Sequence, residues 1–194
     1  MKILFKTLII LLFINISANS EIVKEIKVEG NQRVSSETVK VFSGVEINSD
    51  LTSDQINNIL KNLFSTNYFS DISINLENNV LYIIVKENPI IQNVNFDGVK
   101  NKRILEVLNE QIELKEKNSF VENKVKNDLD KITNILRSNG YYFAEVKTKL
   151  KKNNNNTVDL IYDINLGDRA YIKKITFIGD KKLKDSKIKK IIVS

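Results

Sequence analysis

The sequence predicts an α+β protein in which a strand–helix–helix–strand–strand unit occurs twice in tandem. The first observation is a segment of alternating apolar and polar residues that ends in glycine and recurs along the chain. The second is a pair of amphipathic helical stretches after each of the first two copies, followed by two more alternating stretches. Because period two indicates a strand and period 3.6 a helix, each unit should form a three-stranded sheet covered by two helices.

The recurring segment occupies residues 22–30, 90–98 and 171–179. Its three glycines, Gly30, Gly98 and Gly179, stand 68 and 81 residues apart. In each copy two apolar residues hold the same distance to the glycine, which ends the strand where the chain turns. Three copies in the same register indicate an internal repeat rather than chance similarity.

In the first unit, residues 35–42 predict a short helix that Gly44 ends. Residues 52–55 form a capping box in which Thr52 and Gln55 exchange hydrogen bonds at the start of a second helix. Asn67 is the expected left-handed stop of that helix. Two alternating strands follow, joined by a turn at Asn78 and Asn79. The core-facing stripe of the second helix comprises Ile56, Ile59, Leu60, Leu63 and Phe64.

The second unit repeats this plan. Residues 104–108 predict a short helix, and residues 119–122 form a second capping box that opens a longer helix. Gly140 is its expected stop, and a loop at 153–156 joins two alternating strands. The stripe of the longer helix comprises Val121, Val125, Leu129, Ile132 and Leu136.

The two ends of the chain predict different segments. Lys2 and Lys6, a short apolar run and small residues up to Ser20 predict an export signal at 1–20, cleaved before Glu21. The domains are then 21–89 and 90–170. Residues 171–194 contain one strand and part of a helix, so we expect them to be the incomplete start of a third unit.

Composition argues against an enzyme. The chain contains neither histidine nor cysteine, which removes the commonest general base, the thiolate nucleophile and the usual zinc ligands. We therefore predict no catalytic residues, no cofactor and no metal. The net charge of +6 comes from scattered residues, so no nucleic-acid partner is expected either.

The residues of both units resemble the POTRA domains of BamA-type outer-membrane protein assembly factors of Gram-negative bacteria. The resemblance rests on segments 26–34, 63–72 and 85–89 of the first unit. Segments 162–167 and 175–181 are similar to the end of a second domain and the start of a third. The resemblance covers essentially the whole chain after residue 20.

The resemblance implies a periplasmic receptor for unfolded outer-membrane proteins and accessory lipoproteins, attached to the outer membrane by a C-terminal barrel that this chain lacks. It implies that the strand after the helices lies at a sheet edge, where an extended client adds as a further strand. The expected protein-binding residues are Ser70, Asp71, Ile72, Ser73, Ile74, Asn75, Leu76, Ala144, Glu145, Val146, Lys147, Thr148, Lys149 and Leu150.

Three alternatives remain open at this point. The units could belong to a related transporter, TamA-like or a two-partner secretion pore. An exported carboxylate hydrolase would need two converging acids, which no spacing indicates. Tyr141, Tyr142 and Phe143 could form a docking patch, but we expect them to anchor the helix-to-strand junction in the core.

Overall fold

The computed structural model describes residues 21–171 together with 173 and 174. The predicted export signal and the predicted third unit therefore lie outside the described residues, apart from Tyr171, Lys173 and Lys174. The chain divides into two compact units between Pro89 and Ile90. Among the described residues, none of the helices is both long and apolar enough to cross a membrane.

The described part of the first unit, from residue 21 onward, contains five strands and two helices. The helices are α1 (Ser36–Ser43) and α2 (Ser53–Ser65). The strands are β1 (Glu21–Ile22), β2 (Glu25–Glu29), β3 (Asp50–Leu51), β4 (Phe69–Glu77) and β5 (Val80–Glu87). The sheet order is β2-β5-β4, with β2 parallel and β4 antiparallel to the central strand, while β1 and β3 form a separate two-stranded pair.

The second unit has the same arrangement with longer helices. These are α3 (Lys102–Gln111) and α4 (Glu122–Ser138), and the strands are β6 (Ile90–Asp97), β7 (Glu145–Lys152) and β8 (Thr157–Asn165). The sheet order is β6-β8-β7, again parallel on one side of the central strand and antiparallel on the other. Apart from the short pair β1 and β3 in the first unit, which was not predicted, both units thus have the predicted strand–helix–helix–strand–strand order.

Local signals set most element boundaries. Ser35 caps α1 by accepting the N–H of Thr38, and Gly44 ends that helix with a φ of 69°. Thr52 and Gln55 form the predicted capping box of α2. Asn78 and Asn79 take φ values of 52° and 65°, as a tight hairpin turn requires.

The second predicted capping box is wrong. Helix α4 begins at Glu122 with Val121 as its N-cap, and no side chain caps it. Ser119 instead lies in a backbone bridge to Ile90, which holds it away from the helix start. A contact made through tertiary structure has therefore overridden a favourable local motif.

Glycine is required after β2 and after β6 for the same structural reason. Gly30 has a φ of 82° and Gly98 a φ of 93°, which disfavour any residue with a Cβ. A Cβ on Gly30 would lie 2.1 Å from the carbonyl oxygen of Val85, and one on Gly98 would lie 1.9 Å from that of Ile164. The repeated glycine is where the chain leaves the first strand against the backbone of the central strand.

Each unit has its own apolar core between its sheet and its helices. The first centres on Leu63, Leu81 and Ile83, all fully buried, and the second on Leu136 and Leu160. In each central strand alternate residues are buried, as the period-two pattern predicts. The helices of each unit cover one face of its sheet.

Candidate strand-binding edges

Strand β4 is an outer strand of the first sheet. Among the described residues it pairs only with β5, from Phe69 to Glu77. Its inner face contributes buried and half-buried apolar side chains to the core, whereas Ser73, Asn75 and Glu77 are exposed on the outer face. Its free side therefore offers backbone N–H and C=O groups beside small polar side chains.

The beginning of β4 is irregular. The pairing register shifts between Phe69 and Asp71, and Asp71 Oδ1 accepts the N–H of Ile72 at 3.0 Å. Ser70 Oγ donates to the carbonyl of Lys86 at 3.1 Å. A bulge of this kind bends the strand and interrupts pairing. The regular part of this edge is accordingly 72–77.

Strand β7 is the corresponding outer strand of the second sheet. Among the described residues it pairs only with β8, from Glu145 to Lys152. Val146 and Thr148 are half-buried on its inner face, and Leu150 is 45% exposed. The exposed residues on its outer face are Glu145, Lys147, Lys149 and Lys151.

Aspartates on β8 face these lysines. Lys149 Nζ lies 2.7 Å from Asp163 Oδ2, and this hydrogen bond together with the negative charge raises the pKa of Lys149. Lys151 is the cross-strand neighbour of Asp159. The pKa of Asp159 is lowered by hydrogen bonds from Asn93 and Asn153, which outweigh its desolvation with help from the charge of Lys151. The outer face is thus acidic on the central strand and basic at the edge.

In each unit the chain is paired with another segment near the start of the three-stranded sheet, just before β2 in the first unit and within β6 in the second. Val23 donates to Ser49 O at 3.0 Å and accepts from the N–H of Asn48 at 2.7 Å. Ile91 likewise donates to Asn118 O at 2.9 Å and accepts from the N–H of Lys117 at 2.8 Å.

In both units the partner is therefore the loop between the two helices. Asn48 and Lys117 have positive φ values of 68° and 67° at equivalent places. In the second unit Glu116 Oε1 also accepts the N–H of Val94 at 3.3 Å. Among the described residues this leaves the segments 25–29 and 95–97 at the outer edges of β2 and β6, and both are shorter than β4 and β7, the strands that follow the helices.

The comparisons with known proteins agree with this architecture. The POTRA family model, described as surface antigen variable number repeat, matches residues 89–167. The outer membrane protein assembly factor BamA of Neorickettsia risticii is 26% identical over 185 residues, covering 95% of this chain and 25% of that protein. The BamA of Neisseria meningitidis serogroup B is 26% identical over 169 residues, covering 86% and 21%. Residues 89–167 thus match a POTRA domain, and the chain is similar in sequence to BamA proteins.

A solved structure extends the fold comparison to both units. The N-terminal domain of Omp85 from Thermosynechococcus elongatus superposes with a TM-score of 0.52 and 18% identity. The superposition covers 75% of this chain and 63% of that one. At this identity the match shows the tandem POTRA fold. The chain spans about a quarter of the length of the curated BamA relatives.

The structure places the predicted binding residues on the outer strands of the two POTRA domains. Residues 70–76 lie within β4, and residues 145–150 lie within β7. Ala144 is a correction, because it precedes the strand and its N–H donates to Tyr141 O at 3.3 Å. At its other end β7 continues to Lys152, two residues beyond the predicted end.

The expectation for the aromatic run before β7 is wrong for two of its three residues. Tyr141 packs against the second core, but Tyr142 is 60% exposed and Phe143 is 75% exposed. Arg169 stands over the ring of Tyr141 at 6.0 Å and over that of Tyr171 at 5.7 Å. The turn after Gly140 directs the second and third aromatic residues outward, which local pattern alone does not reveal.

Sequence reasoning missed an ion pair between the buried Glu87 and the exposed Arg33 in the first POTRA domain. Glu87 Oε1 accepts the N–H groups of Gln32, Arg33 and Val34 at 2.8–2.9 Å, and its Oε2 lies 3.0 Å from Arg33 Nε. Desolvation raises the pKa of Glu87, but these hydrogen bonds and the charge of Arg33 together leave it below its usual range. The pair fastens the turn after Gly30 to the end of β5.

A buried aspartate in the second POTRA domain was missed as well. Asp128 is fully buried in α4 and accepts the N–H groups of Glu113 and Leu114 at 2.7 and 3.0 Å. It also accepts the hydroxyl of Tyr162 at 2.8 Å. Burial and this interaction raise the pKa of Tyr162 far above its usual range. Asp128 connects α4, the interhelical loop and the central strand, which is a structural role.

The described residues lack what a metal site or a ligand cavity requires. No set of three or more acidic residues that could hold a metal ion occurs in that part of the chain. A cavity of about 280 Å³ lies between α1 and α2, and Glu46 is the one ionisable residue in its lining. The two sheet edges therefore remain the candidate functional sites.

Proposed function

We propose that this chain is the periplasm-facing, client-binding part of an outer-membrane protein assembly factor. It receives unfolded outer-membrane proteins as an added strand on β4 and on β7. One observation carries the proposal: the interhelical loop of each domain pairs with the chain at Val23, just before β2, and at Ile91 in β6, whereas among the described residues β4 and β7 are each paired on one side only. Main-chain pairing reads little sequence, which suits a receptor for many clients.

The names of the curated relatives support this function over a related transporter. Both relatives described above are outer membrane protein assembly factors, and they align with nearly the whole chain. Within the proposal, residues 1–20 are an export signal, 21–89 and 90–170 are successive binding modules, and 171–194 begin a third. Accessory lipoproteins would contact the surfaces that clients leave free.

The test is photocrosslinking to an unfolded strand peptide of about ten alternating apolar and polar residues, the length of a membrane-barrel strand. Photoreactive residues replace Ser73 on β4 and Lys147 on β7. Matched controls replace Glu29 on β2 and Asn95 on β6, which are exposed on the same outer faces. Circular dichroism verifies that all four variants are folded.

We expect crosslinks at Ser73 and Lys147 and few at the two controls. Equal crosslinking at all four positions would mean that the peptide lies on the outer face of the sheet instead of at its edge. An absence of crosslinks in folded variants would contradict client binding by these domains and leave a scaffold for other subunits.

A further inference from the structure

The two free edges differ sharply in charge. Strand β4 contains Asp71 and Glu77 and no basic residue. Strand β7 contains four lysines, Lys147, Lys149, Lys151 and Lys152, against Glu145, a net charge of +3. Two edges with the same position in the fold therefore offer a peptide different surroundings.

The β7 lysines form a regular column on the outer face. Lys147, Lys149 and Lys151 alternate along the strand and are spaced by about 7 Å, since each residue of a strand adds about 3.4 Å. On the central strand, Asp163 is the cross-strand neighbour of Lys147, and Asp159 is the neighbour of Lys151. Asp163 also forms an ion pair with Lys149. The column is thus flanked by acids on its inner side.

On the free side of β7 no described residue pairs with these lysines. A strand added there would place alternate side chains about 5 Å from the lysines, within range of an ion pair. Acidic residues at these positions would give each lysine of β7 a negatively charged neighbour on the added strand, as the aspartates of β8 do on the other side. Basic residues would stand beside like charge, which destabilises cross-strand pairs.

The inner face of β7 indicates which side chains the added strand should direct toward the core. Val146 packs against the core from a half-buried position, and Leu150 is 45% exposed at its margin. An added strand would extend this apolar surface with its own inward side chains. The fitting ligand is therefore an extended peptide in which acidic and apolar residues alternate.

We propose that the β7 edge selects extended segments whose outward side chains are acidic, whereas the β4 edge makes no such selection. This proposal rests on the proposed function, because it assumes that strands add at these edges. The competing explanation is that edge lysines keep other strands away, a common protection of exposed edges. That explanation predicts no strand binding at β7 for a peptide of any charge.

The experiment uses the full chain and three peptides of equal length with the same apolar residues. Their alternate positions are all Glu, all Gln or all Lys. Binding is measured by fluorescence anisotropy at low and high salt, and photoreactive residues at Ser73 and at Lys152 report which edge is occupied. The test variant is Lys147→Gln/Lys149→Gln/Lys151→Gln. The charge-matched control is Lys100→Gln/Lys102→Gln/Lys126→Gln, at exposed positions away from β7.

We expect the Glu peptide to bind at Lys152 about tenfold more tightly than the Gln peptide, from three cross-strand ion pairs. The test variant should lose this preference, the control should keep it, and salt should weaken it. Equal affinity of the Glu and Gln peptides at β7 would overturn the proposal. Crosslinks at Ser73 with none at Lys152 would also overturn it and would leave strand addition at β4 standing, whereas none at either edge would overturn the proposed function as well.

Discussion

At the scale of single residues, three backbone demands are met by residues that have no substitute. Gly98 takes a φ of 93° directly against the carbonyl of Ile164, and Gly30 meets the same demand in the first domain. Glu87 satisfies three consecutive backbone N–H groups that no strand or helix would otherwise pair. These residues stabilise the folded domains, and they affect the outer strands β4 and β7 only indirectly, because those strands need a folded sheet.

Replacing Gly98 with alanine should destabilise the second domain strongly. The new Cβ would overlap the carbonyl oxygen of Ile164 in a rigid central strand, so we expect a loss of about 3 kcal/mol or more in the free energy of unfolding. Gly167→Ala is the matched control, because its φ is 60° but its Cβ would meet neighbours at 3.5 Å or more. That control should lose about 1–2 kcal/mol. Urea denaturation measures both, and equal losses would contradict the steric explanation.

The Glu87 carboxylate should make stability depend on pH. Its pKa is lowered in the folded state, so its contribution is present above the unfolded value and is lost as pH falls through the folded value. Glu87→Gln should therefore lose about 2–3 kcal/mol near neutral pH and show a flatter decline below about pH 4.5. Glu29→Gln, at an exposed carboxylate, should keep the wild-type profile. Denaturation series from pH 3 to 7 test this, and identical slopes for Glu87→Gln and wild type would refute it.

At the scale of elements, the second helices of the two domains begin in different ways. Helix α2 has a complete capping box, whereas α4 begins at Val121 with no side-chain cap. Both interhelical loops make backbone bonds to residues near the first strand, Val23 or Ile91, and in the second domain Asp128 also accepts two N–H groups of the loop. A long-range side-chain contact is thus present in the domain whose second helix has no side-chain cap.

Thr52 and Ser119, the two residues predicted to cap the second helices, should therefore respond unequally to replacement by alanine. Thr52→Ala removes an acceptor for the N–H of Gln55 and should cost about 1 kcal/mol. Ser119→Ala removes no helix cap and should change stability by less than about 0.5 kcal/mol. Thermal and urea unfolding of the two variants provide the comparison. A loss at Ser119 as large as that at Thr52 would show that the serine caps α4 in solution.

At the scale of the whole molecule, the chain contains two cores that share no residue. Each is closed by its own pair of helices and its own three-stranded sheet. Burial within each domain is therefore enough to define it as a separate folding unit. The outer strands β4 and β7 of these two modules differ in charge.

Local destabilisation should accordingly stay local. Glu87→Gln should speed amide hydrogen exchange in 25–87, and Gly98→Ala should speed it in 90–165, because each variant weakens one core. Exchange followed by mass spectrometry on the full chain distinguishes the two regions. Faster exchange across both domains in either variant would show that they unfold as one.

The sequence alone was sufficient for the main helices and strands and their order, though not for the short pair β1 and β3 or for the start of α4. Alternation, helical stripes, Gly44, Asn67 and the asparagine turns act over a few residues, so their effect can be recognised without a structure. The repeated glycine indicated a tandem fold, and the resemblance implied that the strand after the helices lies at an edge. Domain type was predictable because these signals agree with one another.

Only the tertiary structure decided which edge stays free and how it is charged on both sides. The backbone hydrogen bonds that the interhelical loops make to Val23 and Ile91 join residues more than twenty positions apart. The burial of Asp128 and Glu87 and the outward turn of Phe143 likewise depend on neighbours distant in sequence. Short-range patterns carry no information about such contacts, because they arise when separate elements pack together.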